Sequence, residues 1–92
     1  MHKFEVEEKL HKVLKKLFKK DKKRYEIVWK KITEVVNNSN IEHYKNLRFP
    51  MNNFKRVHID KSFILIFNHD KIHNKIKFYD LDHHDNIYNK KF

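Results

Sequence analysis

The segment Tyr79-Asp80-Leu81-Asp82-His83-His84-Asp85-Asn86-Ile87-Tyr88 gathers two histidines, three aspartates and two tyrosines in ten residues. Histidine exchanges protons near neutral pH, so the chemistry on offer is proton transfer. A second pair, Arg56 and His58, stands two positions apart. On a strand such residues share a face, about 6–7 Å apart. That span suits one phosphate: the planar arginine fork holds it, and the histidine exchanges a proton with an attached oxygen. Two plain alternatives stand beside these readings. Arg56 and His58 would serve equally as a solvated sheet surface, and Ile87, Tyr88 and Phe92 as apolar residues that pack a terminal segment onto the core. Neither His83 nor His84 has a histidine partner at the HxH or HxxxH spacing. Adjacent histidines point in different directions on a strand or a helix, so no metal and no cofactor is expected here.

Elements of two kinds must position these groups. Residues 5 to 20 read as an amphipathic helix, with Leu10, Val13, Leu14, Leu17 and Phe18 at three- and four-residue spacing. Residues 1 to 6 also fit a short strand. Asp21 suits the N-cap of a second helix, 22 to 37, whose apolar stripe is Tyr25, Val28, Trp29, Ile32, Val35 and Val36. So short a link predicts an antiparallel helical hairpin. Its many lysines read first as solvated surface.

Residues 41 to 53 are loop-like and include the only proline, Pro50. From Phe54 the period changes to two. Phe54, Arg56 and His58 share one face of a strand, and Val57 and Ile59 the other. A tight turn at Asp60-Lys61 leads to residues 62 to 67, apolar on both faces and hence a central strand. A polar turn over 68 to 74 precedes a third strand, 75 to 81. The expected fold is α+β, an N-terminal helical hairpin packed on a small twisted antiparallel sheet, with residues 1–92 as one domain.

Composition narrows the partners. Twenty-two Lys and Arg against twelve Asp and Glu give a formal net charge of +10. Such an excess attracts a polyanion: nucleic acid, an anionic membrane face or an acidic protein. No apolar run is long enough to span a bilayer and no signal peptide is visible, so the chain reads as soluble and cytoplasmic. With no cysteine there is no disulfide, thiolate metal site or thiol nucleophile. With no glycine there is no Gly-rich phosphate loop, and positive-φ turns fall to Asn and Asp.

The succession of a helical hairpin, a strand with Arg56-x-His58, an apolar strand and an ending His84-Asp85-Asn86-Ile87-Tyr88 resembles the RelE/YoeB/YafQ family of toxins. The specific stretches are Phe54 to Phe67 and His84 to Tyr88, and YafQ is the nearest pattern. The resemblance implies a RelE-like microbial RNase fold. It implies an mRNA interferase, an endoribonuclease that acts on the ribosome through the RNA's own 2′-hydroxyl, and an acidic antitoxin as partner. Carried over, His84 matches a C-terminal proton-transfer histidine, His58 a strand histidine of the YafQ branch, and Arg56 a basic strand position of the RelE branch. Tyr88 matches a C-terminal aromatic that meets the base or the phosphate. Lys45 falls where the family has a histidine or lysine that holds phosphate. Lys55 and His83 are read as supporting substrate contacts. Phe63 stands where many relatives have an arginine and YafQ a tryptophan, and is read as a stacking surface; Ser62 replaces an aspartate of YafQ. The rival readings are a ParE-like toxin that inhibits gyrase, and a non-catalytic module that binds RNA or the ribosome.

Overall fold

In the computed structural model, which describes residues 2–87, the chain opens on a strand and not on the first turn of a helix. Strand β1 (Lys3–Val6) precedes helix α1 (Glu8–Lys20). What makes residues 3 to 6 a strand lies far away in sequence. They pair in parallel with Lys75–Phe78, and Glu5 meets the ammonium groups of Lys75 and Lys77 at 3.2 and 3.6 Å. Helix α2 (Lys22–Asn37) follows, with Asp21 accepting a hydrogen bond from the Arg24 N–H at 3.1 Å. This is the side-chain cap expected of an aspartate before a first turn.

A 3₁₀ turn (Ile41–His43) and an ordered loop lead into β2 (Lys55–Ile59), β3 (Phe63–Asp70), β4 (Lys75–His83) and a one-turn helix α3 (His84–Ile87). The sheet order is β1-β4-β3-β2. The three strands expected from the sequence form an antiparallel meander, and β1 makes the sheet mixed. Asp60 and Asn74 carry the positive-φ positions of the two hairpins, at 54° and 49°, as a chain without glycine requires.

Two apolar clusters lie on the two faces of the sheet. Leu10, Leu14, Val28, Ile32 and Val35 from the helices pack with Ile59, Leu65, Phe67, Ile76, Phe78 and Leu81. The smaller cluster joins Leu47, Phe54, Ile64, Ile66 and Ile87, with Met51 and Tyr79 against it. Strand β3 serves both, and Ile64 to Phe67 are fully buried.

Strand β4 changes phase along its length. Ile76 and Phe78 belong to the helix-side core, and so does Leu81, which strict alternation would send to the other face. A bulge resolves the conflict: Ile66 stands opposite Asp80 and Phe67 opposite Phe78, leaving Tyr79 as the extra residue. Tyr79 then meets the Phe54 ring edge-on at 4.9 Å. Asp80 is buried and answers the Lys9 ammonium at 3.2 Å.

Candidate functional site

The outward face of β2 carries the first group of candidates. Arg56 pairs with Ile66 and His58 with Ile64, while Ile64 also pairs with Asp82 on β4. One row across the sheet is therefore His58, Ile64, Asp82, with the outer two α-carbons about 9.5 Å apart, or two strand spacings. Arg56 is half-buried and His58 is exposed.

Lys45 joins this face through the backbone. Its carbonyl accepts the Arg56 N–H at 2.9 Å, and the next residue, Asn46, forms an antiparallel bridge with Lys55. Alternation thus puts Lys45 beside Arg56, and Asn46 with Lys55 on the reverse face. The second placement corrects the reading of Lys55 as a substrate contact. Its ammonium is buried against the Tyr44 carbonyl at 3.2 Å and Asn46 Oδ1 at 2.8 Å, and it reaches Glu42 at 3.6 Å. It fastens the loop to the sheet.

The second group sits at the junction of β4 and α3. The His84 N–H donates to the Ser62 carbonyl at 2.8 Å, which staples the end of β4 to the turn that follows His58 and Ile59. The His84 ring contacts the same carbonyl through Nδ1 at 3.3 Å and Asp85 through Nε2 at 2.9 Å. Asp82 accepts the His83 N–H at 2.7 Å and the Asn86 amide at 3.2 Å, while Ile87 anchors α3 in the smaller cluster. Tyr88 lies outside the described residues.

His83 and His84 do not diverge as their adjacency suggests. One ends the strand and the other begins the helix, so the backbone turns between them and the rings stack, with centroids 4.7 Å apart. Together with Asp85 they bring three metal-capable atoms within 4.8 Å of one another.

Phe63 does not stand open as a stacking surface. The Arg24 guanidinium of α2 lies over its ring, 4.4 Å from the centroid, and the His83 ring meets it edge-on at 6.0 Å. Arg24 is held there by Asp60 at 3.2 Å and Asp21 at 3.5 Å. A guanidinium thus reaches the Phe63 position from a helix instead of from the strand. Sequence reasoning missed it because Arg24 sits among lysines that read as solvated surface. It also passed over Arg48 and Phe49, a cation and an aromatic side by side in the loop before β2. The Phe49 ring is 86% exposed on a loop fastened by bonds from Leu47 to Phe54, Met51 to Arg48 and Phe54 to Met51.

No family model matches the chain. Over 70 residues it is 52% identical to the candidate toxin RelE4 of Methanocaldococcus jannaschii, a match covering 76% of this chain and 72% of that protein. The chain belongs to the RelE family of toxins, components of toxin–antitoxin systems. Its fold is that of the isolated Escherichia coli RelE toxin, with a TM-score of 0.72 at 18% identity over 90% of this chain and 84% of that one. E. coli YafQ is equally similar in fold, with a TM-score of 0.73 at 16% identity over 96% and 99% of the two chains. The toxin–antitoxin complex RelBE2 of Mycobacterium tuberculosis gives a TM-score of 0.60 at 14% identity over 89% and 96%. No helix among the described residues is long and apolar enough to cross a membrane.

Proposed function

We propose that this toxin is an endoribonuclease that cuts mRNA held on the ribosome, and that an acidic antitoxin neutralises it. The observation that carries the reading is the staple between His84 and the Ser62 carbonyl, which ties a proton-transfer histidine to the hairpin whose outer face bears Arg56 and His58. The net charge of +10 supports a polyanionic substrate and an acidic partner.

In this mechanism one histidine takes the proton of a ribose 2′-hydroxyl and the freed oxygen attacks the adjacent phosphorus. The other histidine protonates the departing 5′-oxygen, leaving a 2′,3′-cyclic phosphate. Each transfer contributes roughly 10²–10⁴-fold. Arg56 and Lys45 hold the phosphate and stabilise the charge that grows on its oxygens. Tyr88 stacks on a base, and Phe49 offers a further exposed ring; base stacking on an aromatic is worth about 1–3 kcal/mol. The ribosome fixes the RNA in a reactive geometry, which a site with only moderate bases needs.

Purified toxin incubated with programmed ribosomes, followed by mapping of mRNA ends, tests the reading. Cleavage that falls roughly 10²–10⁴-fold in His84→Ala, with folding intact, is expected. Binding to ribosomes without any new RNA ends, or inhibition of gyrase instead, would overturn it.

A further inference from the structure

We propose that His83, His84 and Asp85 form a binding site for a divalent cation of the zinc class, and that its occupation withdraws His84 from proton transfer. The binding half stands on the geometry alone; the inhibitory half rests on the nuclease function proposed above.

The donors are two imidazole nitrogens and one carboxylate. His83 Nδ1 lies 3.5 Å from Asp85 Oδ2, and His84 Nε2 lies 2.9 Å from Asp85 Oδ1. A tetrahedral zinc with bonds of about 2.0–2.2 Å spaces its ligand atoms about 3.4 Å apart. The two distances run to different oxygens of Asp85, and one ligand atom from each of the three residues lies within 4.8 Å of the others; rotation of the stacked, half-exposed rings toward one another would close them on one ion. Imidazole donors select zinc, copper or nickel over magnesium or calcium, which take oxygen cages. Three protein ligands leave a fourth position for water.

A separate feature points the same way. A histidine that ligates a metal through one nitrogen usually donates its other ring N–H to a carbonyl or carboxylate, which fixes the ring. His84 Nδ1 meets the Ser62 carbonyl at 3.3 Å, leaving Nε2 as the atom turned toward Asp85. The Phe63 ring packs against His83 in a T-shaped contact. One contact must yield on binding: the Asp85 N–H, which approaches His83 Nδ1 at 3.3 Å. Among the described residues, the other histidine–carboxylate pairs, His73–Asp70 and His69–Glu42, join no such three-donor group.

The full chain titrated with zinc by calorimetry, and with cobalt by visible absorption, is expected to bind one ion. His83→Ala and Asp85→Asn are each expected to weaken binding tenfold or more, and His73→Ala to leave it unchanged. No saturable binding, binding indifferent to His83→Ala and Asp85→Asn, or binding lost with His73→Ala would each overturn the site. For the inhibitory half, RNA cleavage is measured with and without zinc, each protein against its own zinc-free rate. Zinc should inhibit the wild type at least tenfold more strongly than His83→Ala; equal inhibition overturns the block. A wild type that fails to cleave RNA even with chelator defeats the nuclease reading and the block together, while the calorimetry still decides the binding site.

Discussion

The two faces of the sheet are closed in opposite ways. Two long helices seal one face with a continuous apolar layer. Among the described residues, the other is covered only by the loop before β2 and the single turn of α3, which meet over a small cluster. The first face spends its residues on burial. The second buries just enough to hold α3 in place and leaves Arg56, His58 and the β4–α3 junction reachable. The groups proposed above to hold and cut RNA, Arg56 and His58 with Lys45 beside them, lie on the thinly covered side.

Paired substitutions break or sharpen this contrast. Phe67→Ala removes a fully buried ring from the closed face and should cost about 3–5 kcal/mol of stability in chemical denaturation. His58→Ala on the open face should change stability by under about 0.5 kcal/mol, yet lower RNA cleavage roughly 10²–10⁴-fold. If the two variants unfold alike, the faces are not distinct in the way described.

Lys55→Met tests the border between them. Removing the ammonium takes a donor from the part-buried Tyr44 carbonyl and from the Asn46 amide oxygen, so a loss of about 1 kcal/mol is expected, with cleavage by the folded fraction retained. A folded variant that no longer cleaves would restore Lys55 to the substrate site.

The smallest expected effect is one of pH. Burial works to raise the Glu42 carboxyl, but the charges of Lys55 and Lys71 and hydrogen bonds from Lys71 and His69 outweigh it and hold it below its ordinary 4.5. A carboxyl depressed on folding stabilises the protein above its unfolded value, and that contribution is lost as pH falls through the folded one. Glu42→Gln should therefore lose less Tm than the wild type between about pH 6 and about pH 3. The difference should be slight, because Glu42 is half-exposed and solvent screens it. Equal losses would show that this cluster ties the loop without stabilising the fold.

Much of the architecture was legible because it is written locally. Asp21 caps α2, which spans the expected 22 to 37, and the double-sided apolar run of β3 does lie at the centre of the sheet. What stayed hidden depends on partners distant in sequence. Strand β1 exists because Lys75 to Phe78 pair with it. Arg24 acquires its place from Asp60 and Phe63. For the site, the common face of Arg56 and His58 followed from period two alone, whereas the stacking of His83 on His84 required knowing that a strand ends between them.

The bulge at Tyr79 has a consequence for how such a chain can change over generations. It takes up one extra residue locally, so the pairings on either side of it keep their faces. Loss of the Tyr79 codon would leave Phe78 opposite Phe67 and Asp80 opposite Ile66, so Asp82 and His83 would keep their faces while Ile76 and Phe78 stayed in the core. The strand can thereby gain or lose that one residue without rebuilding either the core before it or the side chains at its end.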